Sequence, residues 1–127
     1  MSNITILVVE DDNDLREALF TALASNSFNV LQASDGEEGY KSAIENHPDL
    51  ILLDIMMPNM NGHETLEKIR NDPWGKDAKV VFLSSLSDAE NIVHAVEKGS
   101  EEYIVKSHAS LSEIVSKVKQ VLHGYDL

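Results

Sequence analysis

Short apolar runs rich in β-branched residues alternate with helical patterns along the 127-residue chain. The runs span residues 4–9, 29–33, 50–53, 79–83 and 102–105, and several are apolar at consecutive positions. Consecutive apolar positions are typical of strands that are covered on both faces. These runs therefore predict five buried strands, and this constrains the fold more than any other feature of the sequence.

Five helices are predicted between and after these strands. Three of them repeat apolar residues at helical spacing, namely Leu15, Ala18, Leu19, Ala22 and Leu23, then Ala89, Ile92, Val93 and Val96, and finally Leu111, Ile114, Val115, Val118 and Leu122. Two shorter helices are indicated by Tyr40, Ala43 and Ile44 and by Leu66 and Ile69. The alternation predicts an α/β fold with a parallel sheet and helices on both faces. The length suits a single domain over residues 1–127.

Reactive side chains follow four of the five predicted strands. They are Glu10, Asp11 and Asp12 after strand 1, Asp54 after strand 3, Ser84 and Ser85 after strand 4, and Lys106 and Ser107 after strand 5. Taken singly, such residues are more often turn formers, helix caps or solvated lysines. In a parallel sheet, however, the ligand site lies beyond the carboxyl ends of the strands. All these side chains are predicted at that one edge.

Crowded carboxylates beside a hydroxyl and an ammonium predict a phosphoryl-transfer site. A hard divalent cation would relieve the repulsion between the carboxylates, and Mg²⁺ fits because it binds carboxylate and phosphate oxygens together. An ionised Asp54 is already a nucleophile that can form an acyl phosphate. The Lys106 ammonium and the Ser84 hydroxyl can both meet phosphate oxygens.

Composition limits the partners of the chain. The formal net charge of −12 disfavours binding to nucleic acid or to an anionic membrane surface. There is no cysteine, which is compatible with a reducing compartment. No apolar run approaches the roughly 20 residues that span a bilayer. We therefore expect a cytoplasmic protein that binds neither nucleic acid nor membrane directly.

The chain resembles the receiver domain of two-component response regulators over essentially its whole length. The matching segments are residues 6–12 (ILVVEDD), 50–62 (LILLDIMMPNMNG), 80–85 (VVFLSS) and 99–106 (GSEEYIVK), and the second is highly specific. The resemblance implies a flavodoxin-like fold of the kind found in chemotaxis regulators. Its five-stranded parallel sheet has the order 2-1-3-4-5.

The resemblance also implies a role for each matching residue. It assigns the phosphoryl acceptor Asp54, the Mg²⁺ ligands Glu10, Asp11, Asp54 and the Met56 carbonyl, the phosphoryl-pairing Lys106, and the switch residues Ser84 and Tyr103. A histidine kinase or a histidine phosphotransfer protein would donate the phosphoryl group. The fourth predicted helix, the fifth strand and the fifth helix, about residues 89–122, would then bind a downstream protein. A dimer formed on phosphorylation is compatible with this picture.

Three positions depart from the family pattern, and Ser107 matters most, since Ser85 and Ser100 replace common alanines without removing a required group. Ser107 follows Lys106 where the family commonly has proline, often after a cis bond. Since a cis bond without proline costs about 3 kcal/mol, a trans bond is expected here. Met56 and Leu86 flank the phosphoryl position and are both apolar, so they are expected to shield the acyl phosphate from water.

Two other functions compete with a phosphorylated switch. An aspartate-nucleophile phosphatase of the haloacid-dehalogenase type would carry a second Asp where Met56 stands. A receiver-like docking module that is no longer phosphorylated would have no need of the intact acidic set with Ser84 and Lys106. We therefore expect no enzyme in the multiple-turnover sense, only self-catalysed phosphoryl transfer and autodephosphorylation.

Overall fold

The computed structural model describes residues 3–85 and 102–123 of the chain. Within them, five parallel strands form one sheet with the order β2-β1-β3-β4-β5. The strands are β1 (Thr5–Val9), β2 (Asn29–Ala33), β3 (Leu50–Asp54), β4 (Val80–Ser84) and β5 (Glu102–Val105). This sheet confirms the fold class and the strand order that the resemblance implies.

Four α-helices lie in the described part of the chain. They are α1 (Asn13–Ala24), α2 (Gly36–Asn46), α3 (Gly62–Arg70) and the C-terminal helix (Leu111–His123). Two 3₁₀ turns, Gly75–Asp77 and Lys106–His108, precede β4 and follow β5. The predicted helix over residues 89–96 lies outside the described residues. No described helix is both long enough and apolar enough to cross a membrane.

Side-chain oxygens cap the N-terminal ends of the helices near the site. Asp12 caps α1 by accepting hydrogen bonds from the backbone N–H groups of Asp14 and Leu15. Asn61 caps α3 and shares a reciprocal capping box with Glu64. Such caps satisfy backbone donors that have no partner inside the helix. They determine the residue at which each helix begins, and so they restrain the preceding loops, which carry the site residues.

Two apolar layers cover the two faces of the sheet. Alternate residues of each strand point to opposite faces. Ile6, Leu52 and Leu83 pack with α1 and the C-terminal helix, whereas Leu7 and Phe82 pack with α2 and α3. The central strands are therefore buried on both sides, as their consecutive apolar residues predict.

The register of the strands determines which residues lie side by side at the carboxyl edge of the sheet. Val9 pairs with Leu53, so Glu10 and Asp54 are the next residues on two neighbouring strands. Asp54 itself pairs with Leu83 and is the last residue of β3. Ser84 likewise ends β4, and it pairs with Val105. Both strands thus end one residue later than predicted, because the ladder continues through these polar residues.

Candidate functional site

Three carboxylates meet at the carboxyl edge of the sheet. One carboxylate oxygen from each of Glu10, Asp11 and Asp54 lies within 4.8 Å of the other two. Glu10 and Asp54 are only 1% and 3% exposed, whereas Asp11 faces solvent. Hard oxygen donors that are partly open to water are the ligands that Mg²⁺ prefers. The donor set therefore fits a magnesium ion.

Lys106 extends toward this cluster from the end of β5. It begins the 3₁₀ turn after β5, and its side chain is 23% exposed. Its Nζ lies 2.7 Å from Glu10 Oε1 and 3.4 Å from Asp54 Oδ1. Every described peptide bond is trans, including the bond between Lys106 and Ser107. The ammonium thus bridges the two buried carboxylates, and the trans bond expected after Lys106 is confirmed.

Burial and repulsion perturb the ionisation of Asp54. Burial, followed by the negative charge of Glu10, raises the pKa of Asp54 from 3.8 to about 7, and the positive charge of Lys106 opposes this shift. Burial acts to lower the pKa of Lys106, but its hydrogen bond to Glu10 and the charges of both acids raise it. Without a cation, the Asp54 carboxyl therefore ionises only at a higher pH than usual, whereas Lys106 beside it stays protonated.

The loop after Asp54 lies close against the backbone of β3. A Cβ atom added to Gly62 would stand 2.4 Å from the Asp54 carbonyl oxygen and 2.8 Å from the Ile55 Cα. The Gly62 N–H donates to the Ile55 carbonyl at 2.8 Å. Glycine is therefore required for this close approach. Met56, two residues after Asp54, is 60% exposed, and metal binding by its carbonyl remains a prediction.

The two predicted switch residues stand on the neighbouring strands. Ser84 is completely buried at the end of β4. Tyr103 is half-buried on β5, pairs with Phe82 and packs against the apolar layer that faces α2 and α3. Since side chains alternate along β4, Ser84 points to the same face of the sheet as Phe82. Their coupled motion remains a prediction, and Leu86 lies outside the described residues.

One residue near the site carries no motif signal in the sequence. Arg16 on α1 donates from Nη1 to the Glu10 carbonyl at 2.8 Å and from Nη2 to Asn13 Oδ1 at 2.6 Å. In the sequence it appears as an ordinary polar position between Leu15 and Leu19 of an amphipathic helix. Its spacing of three residues from Asn13 fits a contact along a helix face, but nothing in the sequence indicates its bond to Glu10.

Comparisons with known proteins agree with this geometry. The sequence profile of the response regulator receiver domain matches residues 6–119. The transcriptional regulatory protein SrrA of Staphylococcus aureus is 38% identical over 122 residues, which cover 96% of this chain and 48% of SrrA. The probable transcriptional regulator ycf27 of Porphyridium aerugineum is 32% identical over 99% of this chain and 51% of its own length. The chain thus spans about half the length of these curated relatives.

Solved structures show the same fold. The receiver domain of the Francisella response regulator 1452 superposes with a TM-score of 0.86 at 28% identity, covering 94% of this chain and 97% of that one. A CheX–CheY–BeF₃–Mg²⁺ complex from Borrelia burgdorferi also gives a TM-score of 0.86 at 28% identity, covering 93% and 88% of the two chains. Chemotaxis protein CheY4 of Vibrio cholerae gives 0.89 at 23% identity, covering 95% and 100%.

Proposed function

This chain belongs to the response regulator receiver family, and on that basis we propose that it is a phosphorylation-activated switch with Asp54 as its phosphoryl acceptor. One observation carries the proposal. The buried carboxylate of Asp54 stands within 4.8 Å of carboxylate oxygens from Glu10 and Asp11 and 3.4 Å from the Lys106 ammonium. The groups proposed as nucleophile, metal ligands and counter-charge thus lie in one cluster.

The proposed step is transfer of a phosphoryl group from a phosphohistidine of a kinase or a phosphotransfer protein. An ionised Asp54 oxygen attacks phosphorus, an O–P bond forms, and the N–P bond breaks. The leaving imidazole keeps the electron pair and takes up a proton from water. Glu10, Asp11 and Asp54 would hold Mg²⁺, which would supply positive charge to balance the carboxylates and the phosphate oxygens.

Protein side chains complete the charge balance and the response. The Lys106 ammonium stays at the acceptor and faces the added phosphate oxygens. The hydroxyl of Ser84 donates to one of these oxygens, and Tyr103 on the next strand adjusts its packing with it. Phosphorylation would shift a two-state equilibrium at the face over residues 89–122, which would bind a downstream protein or a second copy of the chain.

The similarity to known proteins supports this proposal. The Borrelia burgdorferi CheY is described with Mg²⁺, with BeF₃ and with a protein partner, CheX. SrrA is a transcriptional regulatory protein, but this chain covers about half of it. We propose contact with a protein target as the output of the described domain, and a cytoplasmic location for the exchange.

The two rival functions make different demands on the site. A phosphatase of the haloacid-dehalogenase type would place an acid where the exposed Met56 stands. A docking module would have no use for the buried Asp54 and its ion pair with Lys106. We therefore propose single phosphoryl transfer followed by autodephosphorylation, not catalytic turnover of a free substrate.

Intact mass spectrometry tests this function. The protein is incubated with Mg²⁺ and a small acyl-phosphate donor, alongside Asp54→Asn and Asp49→Asn. Asp49 is a matched control because it precedes β3 at the opposite edge of the sheet from Asp54. Its carboxylate accepts a hydrogen bond from the Thr5 N–H. Added phosphate on the wild type and Asp49→Asn, but not on Asp54→Asn, is expected. No uptake from any donor would favour the docking module, and steady multiple-turnover release would favour the phosphatase.

A further inference from the structure

The main chain of Glu10 is held at the point where it leaves the sheet. Its N–H donates to the Ala33 carbonyl of β2 at 3.0 Å, which extends the ladder by one bond. Its carbonyl accepts instead from Arg16 Nη1 at 2.8 Å. A side chain on α1 thus takes the place of a strand partner for the residue that carries the buried metal-site carboxylate.

The same guanidinium also holds the start of α1. Arg16 Nη2 donates to Asn13 Oδ1 at 2.6 Å, and the Asp12 N–H donates to Glu10 Oε2 at 3.0 Å. Hydrogen bonds therefore restrain the turn over residues 10–13 at Glu10, at Asn13, and between Glu10 and Asp12. Asp11 lies inside this turn, between the tied positions.

Unlike an ordinary turn, this turn must hold carboxylates close together against their electrostatic repulsion. It brings the carboxylates of Glu10 and Asp11 up to the buried Asp54, where the Lys106 ammonium offsets only part of the repulsion between them. Movement of the turn away from β3 would relieve that repulsion and would take the oxygens apart. A fixed turn keeps the oxygens together before a cation arrives.

We propose that Arg16 is the positioning residue of the metal site, which presets the turn over residues 10–13 for a divalent cation. The inference rests on the proposed function, because it assumes that Glu10, Asp11 and Asp54 bind Mg²⁺. Arginine suits the task because its rigid fork reaches two acceptors with two different nitrogens, whereas lysine offers one point charge on a flexible stem. Partners of metal ligands typically change metal affinity by about tenfold or more when they are removed.

A pure charge effect would act in the opposite direction. The Arg16 guanidinium is positive and half-buried beside the acids, so it repels an incoming cation. Removing its charge in Arg16→Gln would then tighten Mg²⁺ binding. Loss of positioning weakens it instead, so the sign of the change separates the two effects.

Mg²⁺ affinity is measured by calorimetry for the wild type, Arg16→Lys, Arg16→Gln and the control Arg70→Lys. Arg70 is matched to Arg16 because it is half-buried, sits on a helix, and donates to two backbone carbonyls, those of Gly75 and Ala78, at 2.8 and 2.7 Å. It ends α3 on the side away from Asp54. Urea unfolding of each variant, followed through Trp74 fluorescence, reports stability separately.

Both Arg16 variants are expected to bind Mg²⁺ about tenfold more weakly, and Arg70→Lys to stay within about twofold of the wild type. At saturating Mg²⁺, phosphorylation of Arg16→Lys by an acyl-phosphate donor should return to within about twofold of the wild-type rate, as expected when only metal binding has changed. Unchanged or tighter Mg²⁺ binding in the Arg16 variants, with a wild type that binds normally, would overturn the inference alone. A wild type that binds no Mg²⁺ would overturn the proposed function as well.

Discussion

Replacement of Asp54 by asparagine should stabilise the protein when divalent cations are removed. The Asp54 carboxyl is buried, and its pKa is raised from 3.8 to about 7, first by that burial and then by the charge of Glu10. An ionised Asp54 is therefore costly in the folded protein. Asparagine has nearly the same shape and carries no charge, so this cost disappears.

The size of the gain follows from the pKa shift. The difference between 3.8 and about 7 corresponds to roughly 4 kcal/mol of destabilisation in the fully ionised protein. This figure already includes the opposing attraction of the Lys106 ammonium at 3.4 Å. Asparagine recovers only part of it, because the amide does not fully replace the side-chain hydrogen bonds of the Asp54 carboxyl with Asp11 and Glu10. We expect a net gain of about 2 kcal/mol, or about 7 °C in Tm for a domain of this length.

The gain should depend on pH in a defined direction. Below pH 3.8 the Asp54 carboxyl is protonated in both the folded and the unfolded chain, so it contributes no penalty. Between that pH and about 7, only the unfolded chain ionises freely, and the wild type loses stability as the pH rises. Above pH 7 the penalty is complete. The difference between Asp54→Asn and the wild type should therefore grow across this window and then level off.

Urea unfolding in the presence of a chelator, followed through the fluorescence of Trp74, measures this difference. Asp49→Asn serves as the control, because it removes an exposed carboxylate from the opposite edge of the sheet and should give no gain. Added Mg²⁺ should stabilise the wild type more than Asp54→Asn and so narrow the gap. An Asp54→Asn variant that is no more stable than the wild type above pH 7 without metal would contradict this prediction.

Three further changes test separate parts of the site. Gly62→Ala should lower the free energy of unfolding by at least about 2 kcal/mol, measured in urea, because its Cβ would stand 2.4 Å from the Asp54 carbonyl oxygen. Lys106→Met should move the carboxyl titration of Asp54, followed by NMR without metal, to higher pH, since the ammonium lowers that pKa; a shift to lower pH would contradict this. Met56→Gln should make the phosphorylated protein lose its phosphate several-fold faster in a mass-spectrometric time course, because water gains access to the acyl phosphate; unchanged loss would remove the shielding role.

The sheet was predictable from sequence because its signal is local and strong. Residues 50–53 are apolar at every position, and the structure buries both faces of β3. The limits of the strands were less predictable. Asp54 and Ser84 are polar, so the sequence ends each strand before them, yet backbone pairing with β4 and β5 continues through both residues. Hydrogen bonding between strands is a non-local property that side-chain pattern does not report.

The site was predictable as a list of residues, but its internal pairing was not. Each candidate follows a strand, so topology alone brings them to one edge. Which oxygen the ammonium prefers depends on side-chain reach, and Lys106 lies closer to Glu10 than to Asp54. The bond from Arg16 to the Glu10 carbonyl likewise depends on how α1 packs against the end of β1. Polar contacts of this kind leave no periodic trace in a sequence.

Identification of the residue that carries phosphate tests whether Asp54 is the phosphoryl acceptor. After incubation with Mg²⁺ and an acyl-phosphate donor, borohydride converts an aspartyl phosphate to homoserine, and peptide mapping locates the changed residue. Homoserine is expected at position 54 in the wild type, and none in Asp54→Asn. Phosphate at Ser84 or at another carboxylate, with Asp54 unmodified, would contradict it.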